Sequence, residues 1–302
     1  MIYQDVLGAI GKTPLVKLNK ITAADGRSRL FVKAEFMNPG GSIKDRAAYE
    51  MLKTAVENGF VGKDSTVIEA TSGNTGVGLA MACAVYGIRL IIVMPENMSA
   101  ERQKLMRAYG AELVLTPKEQ GMSGAIAEME RLERETENAF LPMQFANADN
   151  ARAHYLTTAP EIFDDLTTAA AVVAGVGTGG TTMGIADFVL EHGIDCRIVG
   201  VEPAESPLIT EGRSGPHGIQ GIGANVLPEL LDVKKLDEVV AVPYADAVEM
   251  ARRLAKEEGL LVGISAGAAL AGAIKISEKI KGDIVVILPD TGMRYLSTEL
   301  YE

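Results

Sequence analysis

The stretch AAAVVAGVGTGGTTMGIADFVLEH at residues 169–192 decides the fold. Its first seven residues are small and apolar, which is typical of a buried strand, and residues 181–192 have the length and pattern of a helix. Between them, Gly175–Thr182 supplies four glycines and three threonines. A strand that passes through a glycine-rich turn into a helix is the repeating unit of a parallel α/β sheet.

The same alternation covers almost the whole chain, so the sequence predicts an α/β fold. The predicted strands are Leu30–Ala34, Thr66–Ala70, Leu90–Met94, Glu112–Leu115, Ala171–Gly175, Arg197–Glu202, Glu238–Val242 and Ile284–Leu288. The predicted helices are Asp45–Asn58, Thr75–Tyr86, Ala100–Tyr109, Gly124–Glu137, Thr181–His192 and Ala245–Glu258. The polar stretch Met143–Asn150 separates two series of crossovers and is interpreted as a loop-like domain boundary.

Composition excludes several classes of function. The chain has 302 residues, enough for two domains, and 29 basic against 40 acidic residues give a net charge of −11. Such a charge repels nucleic acid and anionic membranes, so neither is expected as a partner. Cys83 and Cys196 have no metal-site or redox spacing and are expected to be buried as small hydrophobes. The start MIYQDVLGAIGKTP lacks the features of a signal peptide, so a cytoplasmic location is expected.

The glycine-rich loop Gly175–Thr182 has the composition of a phosphate cradle. Glycines let backbone N–H groups converge on an anion at a helix N-terminus, and the threonine hydroxyls suit a terminal phosphate. The loop also matches G-x-G-x-x-G, and Glu202 ends the next strand at the spacing of a ribose-binding acid. A nicotinamide-dependent dehydrogenase is therefore an alternative from a different enzyme class, and a purely structural turn is a third interpretation.

A lysine stands at an unusual place in the loop Asn38–Arg46. Ser42 and Asp45 resemble a capping box, which places Lys44 in the first helical turn. A cation is disfavoured there by the helix dipole, whereas a neutral amine is a nucleophile suited to an aldehyde cofactor. A solvated lysine balanced by Asp45 is the alternative.

Two further loops offer neutral polar groups at strand ends. Thr71–Gly76 brings three hydroxyls and an amide, which suit a carboxylate or a phenolate oxygen, or else a helix N-cap. Ser265 precedes the helix-like residues 269–280 and is either an N-cap or a ligand contact.

Other catalytic patterns are missing from the sequence. The histidines His154, His192 and His217 are isolated and lack metal-ligand spacing, so no metal is expected. Neither a G-x-S-x-G elbow nor a G-x-x-x-x-G-K-[ST] loop is present, which disfavours hydrolases and nucleotide-hydrolysing enzymes.

Taken together, six motifs resemble a known family. They are NPGGSIKDR at 38–46, EATSGNTG at 69–76, GVGTGGT at 175–181, IQGIGA at 219–224, ISAGA at 264–268 and LPDTGMRYLST at 288–298. The set resembles the cysteine synthase (O-acetylserine sulfhydrylase) and cystathionine β-synthase family of fold-type II pyridoxal-phosphate enzymes, over essentially the whole chain.

The resemblance implies a role for each matching residue. Lys44 would form the internal aldimine with pyridoxal 5'-phosphate and later move the α-proton. The cofactor contacts implied are Asn74 on the ring oxygen, Ser265 on the pyridine nitrogen and Gly177, Thr178, Gly179, Gly180 and Thr181 on the phosphate. The substrate contacts implied are Thr71, Ser72, Gly73, Thr75 and Gln144 at the carboxylate, with Gly221 and Gly223 in a loop over the site. The reaction implied is a β-replacement in which O-acetyl-L-serine loses acetate and the resulting aminoacrylate adds sulfide to give L-cysteine.

The same resemblance implies an architecture and partners. The fold expected is the tryptophan synthase β-like type, with two open twisted, mostly parallel sheets flanked by helices. Residues 36–144 are expected to form a smaller mobile substrate-binding domain, and residues 1–35 with 145–302 a larger phosphate-binding domain. A homodimer is expected, and family members can also bind the C-terminal tail of serine acetyltransferase.

Departures from the family pattern leave the substrates open. Asn225 and Val226 stand where a glycine and an aromatic are usual, Met293 stands where glutamate is common, and Ala159 replaces a glycine. Alternatives within the class are a cystathionine β-synthase, a lanthionine-forming enzyme or a cysteine-desulfhydrating enzyme. A non-catalytic binding protein is a further alternative, although the intact Lys44 argues against a purely binding role.

Overall fold

The computed structural model describes residues 2–302, which form ten strands and ten α-helices. The strands are β1 (Leu15–Lys17), β2 (Arg29–Ala34), β3 (Thr66–Ala70), β4 (Arg89–Pro95), β5 (Glu112–Thr116), β6 (Ala139–Phe140), β7 (Ala169–Gly175), β8 (Arg197–Pro203), β9 (Glu238–Val242) and β10 (Asp283–Leu288). The helices are α1 (Lys44–Glu57), α2 (Asn74–Tyr86), α3 (Ala100–Ala108), α4 (Gly121–Glu135), α5 (Ala148–Ala153), α6 (Ala159–Asp165), α7 (Gly180–His192), α8 (Leu208–Glu211), α9 (Tyr244–Glu258) and α10 (Ile264–Ile276).

The chain divides into two compact units. Unit 1 comprises residues 2–10 and Lys44–Asn150, and unit 2 comprises Gly11–Ile43 and Ala151–Glu302. The domain limits expected from the resemblance, 36–144 against the rest, stay a prediction, as does the mobility of the smaller domain.

Unit 1 is built on a four-stranded parallel sheet with the order β5-β4-β3-β6. Six of the seven residues of β4 are buried, as expected for a parallel strand covered on both faces. Helix α2 contains almost only small and apolar residues, and α1 packs closely against it. A Cβ atom at Gly78 would lie 2.9 Å from the Ala48 Cβ atom and 3.0 Å from the Lys44 carbonyl oxygen. Glycine at position 78 therefore lets α2 approach the first turn of α1.

Unit 2 is built on a six-stranded sheet with the order β1-β2-β10-β7-β8-β9, in which only the β1–β2 pair is antiparallel. Strand β10 is buried along its whole length. Helices α9 and α10 pack very closely, because a Cβ atom at Gly267 would lie 2.0 Å from the Ala247 carbonyl oxygen. This contact fixes the position of the first turns of α10 in unit 2.

The structure confirms the α/β class with two mostly parallel sheets and all eight predicted strands. It also corrects three expectations. The stretch Met143–Asn150 is not wholly loop-like, because α5 begins at Ala148. The short strands β1 and β6 have too few residues to show a periodic pattern. Helix α10 begins at Ile264, several residues before the helix-like pattern at 269–280.

Within residues 2–302, none of the helices has both the length and the apolarity that a membrane crossing requires. In the same range, no group of three or more His, Cys, Asp or Glu side chains is arranged to hold a metal ion. Cys83 and Cys196 are both buried and unpaired, as the sequence predicts, and burial raises the pKa of each thiol to about 12.

Candidate active site

Lys44 is the first residue of α1 and is half-buried in unit 1. The prediction that it lies in the first helical turn is confirmed. Asp45 follows it in the same turn and is fully buried. The close approach of α2 at Gly78 holds this turn at its backbone, so the lysine side chain extends from a fixed base.

A second buried lysine, Lys33 on β2, provides a contrast within unit 2. Its ammonium group donates to a Glu161 carboxylate oxygen at 2.7 Å and to the Thr13 carbonyl oxygen at 2.5 Å. The side chain has no exposed surface and its charge is matched by Glu161. Lys33 is thus a structural cation, because an amine committed to a buried ion pair is not available as a nucleophile.

The loop Thr71–Gly73 connects β3 to α2 in unit 1. The N-cap of α2 is Gly73, and no side chain caps this helix. None of the residues that supply the predicted hydroxyls and amide is therefore the N-cap residue itself, which disfavours the N-cap interpretation. Thr71 and Thr75 are buried, and the Gly73 N–H donates to the Thr71 hydroxyl at 3.3 Å.

Gln144 lies against this loop although it is 69 residues away in sequence. The Thr75 hydroxyl donates to the Gln144 side-chain oxygen at 2.5 Å, and both side chains are buried. The Asn150 side-chain amide donates to the Gln144 carbonyl oxygen at 2.7 Å. The structure thereby brings Thr71, Thr75 and Gln144 together in unit 1.

Sequence reasoning missed Glu69, which directly supports this group. Its carboxylate is buried in β3 and accepts a hydrogen bond from the Met143 N–H at 3.1 Å. Burial opposes its charge more strongly than hydrogen bonds from Met143 and Gln144 favour it, so the pKa of Glu69 is raised to about 7. An acidic residue inside the apolar strand TVIEA is the sequence signal that points to it.

The glycine-rich loop of unit 2 has a backbone that tolerates no side chains at two positions. A Cβ atom at Gly177 would lie 2.6 Å from the Gly221 carbonyl oxygen, and one at Gly175 would lie 2.6 Å from the Ile222 side chain. Gly179 is the N-cap of α7 and has a φ of +82°, which favours glycine. The loop Gly175–Gly180 therefore packs directly on the segment that contains Gly221, and its backbone N–H groups lead into the N-terminus of α7.

Threonine hydroxyls surround this loop. Thr178, Thr181 and Thr182 are all buried, and the Thr182 hydroxyl donates to the Gly179 carbonyl oxygen at 3.0 Å. The Thr181 hydroxyl lies 3.3 Å from the His154 Nε2 atom. His154 is fully buried on a π-helical turn, and its Nδ1 atom lies 2.8 Å from the Thr158 hydroxyl. His154 is thus a residue of the polar core.

Ser265 lies in the first turn of α10 and is buried. The N-cap interpretation is wrong for this serine, because Gly263 is the N-cap of the helix. A Cβ atom at Gly221 would lie 3.8 Å from the Ser265 hydroxyl oxygen. Unit 2 thus brings Gly177, Gly221 and Ser265 into one neighbourhood.

The Glu202 carboxylate, which a nicotinamide cofactor would need for its ribose, already accepts hydrogen bonds from the protein. Glu202 is buried at the end of β8 and accepts from the backbone N–H groups of Ile209 and Thr210 at 2.7 and 3.1 Å. It also accepts from the Thr210 hydroxyl at 2.5 Å. Because these bonds hold the N-terminal part of α8, Glu202 is not open to a ribose, which counts against the dehydrogenase alternative.

The chain belongs to the pyridoxal-phosphate dependent enzyme family, whose model matches residues 6–290. Its cofactor is therefore pyridoxal phosphate. Unit 2 supplies what this cofactor needs at its phosphate, namely a cradle that a Cβ atom would fill at Gly177 together with buried threonine hydroxyls. The uncharged hydroxyl of Ser265 is a fitting partner for an unprotonated pyridine nitrogen.

Comparison with individual proteins narrows the class. The chain is 45% identical over 302 residues to "Cysteine synthase B" of Campylobacter jejuni, covering 99% of each chain. It is similar to the crystal structure of cysteine synthase (OASS) from Entamoeba histolytica, with a TM-score of 0.95, 41% identity and coverage of 100% and 91% of the two chains. It is also similar to a hydrogen sulfide-producing enzyme from Fusobacterium nucleatum, with a TM-score of 0.93, 43% identity and coverage of 98% and 100%.

Proposed function

We propose that the chain is a cysteine synthase that forms L-cysteine from O-acetyl-L-serine and sulfide by β-replacement. The observation that carries this proposal is the buried, uncharged group formed by Thr71, Thr75 and Gln144, which suits the α-carboxylate of an amino acid. The full-length likeness to cysteine synthases supports the choice of substrates.

We assign the contacts with pyridoxal phosphate to the residues that the family resemblance implies. Lys44 would bind its aldehyde carbon through Nζ, Asn74 would donate to its ring oxygen, and Ser265 would face its pyridine nitrogen. The phosphate would be held by Gly177, Thr178, Gly179, Gly180 and Thr181. When bound, the cofactor withdraws electrons from the substrate, which makes the Cα proton acidic and allows the β-acetate group to leave.

Lys44 and Ser265 have separate roles in this reaction. The Lys44 amine takes the proton from Cα, and its place at the start of a helix disfavours the charged ammonium form. Ser265 has no charge with which to hold a proton on the pyridine nitrogen, which suits elimination at the β carbon. Both residues act from the first turn of a helix, so their side chains need little reorganisation.

Substrate binding is assigned to two segments. In unit 1, Thr71, Ser72, Gly73, Thr75 and Gln144 would hold the α-carboxylate through backbone N–H, hydroxyl and amide groups. In unit 2, Gly221 and Gly223 would form the loop beside the bound substrate. These glycines have φ values of +93° and +66°, so this loop has a shape that other residues rarely adopt.

A cysteine-desulfhydrating activity is the second candidate function. The likeness to a hydrogen sulfide-producing enzyme at 43% identity favours it. The two activities share the same first half-reaction chemistry and differ in which β substituent leaves and which nucleophile enters.

Steady-state rates decide between these functions. O-acetyl-L-serine, L-serine and L-cysteine should each be supplied with and without sulfide or homocysteine. The proposed function predicts the highest kcat/KM for O-acetyl-L-serine with sulfide. Faster release of sulfide from L-cysteine would overturn it in favour of the second candidate.

Four further features belong to the same proposal. The enzyme acts in the cytoplasm as a homodimer, and the C-terminal tail of serine acetyltransferase binds where the substrate carboxylate binds. Residues 36–144 move as a smaller domain when that carboxylate binds, which shields reactive chemistry from water. Crystal structures with and without a bound amino acid test the movement.

A further inference from the structure

An acid in the middle of a parallel sheet requires an explanation. Glu69 lies on β3, which pairs with β4 on one side and with β6 on the other, and its side chain is only 4% exposed. Burying a carboxylate is unfavourable unless hydrogen-bond donors replace the lost water. The donors of Glu69 all come from one short segment of unit 1.

That segment is Met143 and Gln144. The Met143 N–H donates to the Glu69 carboxylate at 3.1 Å, and the backbone N–H and side chain of Gln144 face the same carboxylate closely enough to lower its pKa. Met143 has a φ of +54°, a conformation that a non-glycine residue adopts only when its surroundings impose it. Glu69 therefore holds these two residues in place against a local backbone preference.

These contacts also fix the side-chain amide of Gln144. An amide has a donating nitrogen at one side and an accepting oxygen at the other. Because the oxygen accepts from the Thr75 hydroxyl at 2.5 Å, the nitrogen is the atom left to face Glu69, whose pKa the Gln144 side chain lowers. A rotation of the amide by 180° would place its oxygen against the Glu69 carboxylate, where the two acceptors would repel each other.

We propose that Glu69 is a positioning residue for the carboxylate-binding group, because it fixes the Gln144 amide with its nitrogen available to the substrate's α-carboxylate. The amide nitrogen carries two hydrogens, so it can donate one to Glu69 and the other to a ligand. Without Glu69 the amide can present its oxygen, which repels a carboxylate. This inference rests on the assignment of the carboxylate to Thr71, Thr75 and Gln144.

A double-mutant cycle on the pyridoxal-phosphate-loaded enzyme tests the inference. The variants are Glu69→Gln, Gln144→Ala and the double variant, with Glu130→Gln on the exposed part of α4 as the control. The probes are L-alanine, which has no β leaving group, and ethylamine, which lacks the carboxylate. Dissociation constants are measured from the change in cofactor absorbance.

Glu69→Gln should weaken L-alanine binding about tenfold and leave ethylamine binding within about twofold, since one charge-assisted hydrogen bond is lost. In the Gln144→Ala background, Glu69→Gln should change L-alanine binding by less than about twofold, because Glu69 acts through Gln144. Equal losses for both probes, or additive losses in the double variant, would overturn the inference. If Glu69→Gln does not fold, Glu69→Asp, whose shorter side chain withdraws the carboxylate from the Gln144 amide, takes its place in the same cycle with the same criteria.

The parent enzyme separates the two proposals. If the variants bind L-alanine as the cycle predicts but the parent makes no cysteine from O-acetyl-L-serine and sulfide, the proposed function fails and the role of Glu69 stands. If the parent makes cysteine but the losses in the double variant are additive, the role of Glu69 fails and the proposed function stands.

Discussion

The loops proposed to bind ligands in the two units occupy equivalent positions between a strand and a helix, but they are held by different forces. Each follows a parallel strand and leads into a helix, at Thr71–Gly73 in unit 1 and at Val176–Gly179 in unit 2. The loop of unit 2 is fixed by backbone contacts so close that Gly177 has no room for a Cβ atom. The loop of unit 1 is supported by hydrogen bonds to side chains: the Thr75 hydroxyl donates to Gln144, and the neighbouring Met143 N–H donates to the buried acid Glu69.

This difference suggests that the two loops have different roles, one towards the cofactor and one towards the substrate. A backbone cradle presents N–H donors that do not change with pH or rotamer, which suits a cofactor that stays bound. A side-chain network can rearrange its hydrogen bonds, which suits a substrate that must enter and leave in each turnover. Four predictions test this comparison.

The largest effect is expected at Lys44, on which the chemistry of both loops depends. Lys44→Ala should lower kcat by at least about 10³-fold, because it removes the proposed proton-transfer group and the attachment point of the cofactor. Steady-state kinetics with O-acetyl-L-serine and sulfide measure the loss. Lys53→Ala, on the same helix and paired only loosely with Glu50 and Glu57, is the control and should keep the parent rate.

The buried carboxyl group of Glu69 in unit 1 should make the free energy of unfolding depend on pH. The pKa of Glu69 is raised from 4.5 to about 7, so the folded state binds this proton more tightly than the unfolded state. Its contribution to the free energy of unfolding is fully present below pH 4.5 and is lost as the pH rises towards 7. This rise in the pKa from 4.5 to about 7 corresponds to about 3 kcal/mol of unfolding free energy.

Urea unfolding at pH 4 and pH 8 checks this prediction. The difference in unfolding free energy between the parent and Glu69→Gln should change by about 3 kcal/mol between these two pH values. The stability of Glu69→Gln relative to the parent should be greater at the higher pH. A difference independent of pH would show that the acid does not titrate in this range.

An added methyl group should weaken cofactor binding when it is placed in the loop of unit 2 but not when it is placed in the loop of unit 1. Gly177→Ala forces a Cβ atom to 2.6 Å from the Gly221 carbonyl oxygen, and such overpacking should weaken pyridoxal phosphate binding by about 2 kcal/mol. At Gly73 the nearest atom to an added Cβ is the Thr71 hydroxyl at 4.0 Å, so Gly73→Ala should retain the cofactor.

Equilibrium dialysis of the cofactor measures both affinities. Gly62→Ala, where an added Cβ meets open space, controls for the substitution itself. Equal cofactor loss in Gly177→Ala and Gly73→Ala would remove the contrast between the two loops.

The smallest effect is expected where the sequence departs from the family pattern. Val226 and Met293 are 64% and 67% exposed, so they have few neighbours through which to act. Val226→Phe and Met293→Glu should each change the preference for sulfide over homocysteine by about 1 kcal/mol without changing cofactor binding. The ratio of kcat/KM values for the two nucleophiles measures this effect, and an unchanged ratio would assign the departures to neutral drift.

Much of this fold could be predicted because its strands are long, apolar and separated by helical patterns. The eight predicted strands are those with continuous apolar runs, such as the fully buried β10. By contrast, β6 has two residues, and α8 has four residues held by the buried acid Glu202. Tertiary contacts determine such short elements, and local patterns do not reveal them.

Some residues of the candidate site can likewise be predicted from the sequence, and others cannot. Lys44 and the loop at Gly177 can be found in the sequence because their residue types are unusual for their positions. The side chains that support the loop of unit 1 cannot be found in this way. Glu69 and Gln144 are 75 residues apart, in a chain with 40 acidic residues. Only the fold shows that the Glu69 carboxylate and the Met143 N–H are 3.1 Å apart.

The most direct test of the central assignment is borohydride reduction of the purified enzyme with its cofactor, followed by peptide mass spectrometry. Reduction fixes pyridoxal phosphate to the lysine that holds it. The account predicts that the modified peptide contains Lys44 and that Lys33, with its ammonium committed to Glu161, is unmodified. Modification of Lys33 or of any other lysine in place of Lys44 would contradict the account.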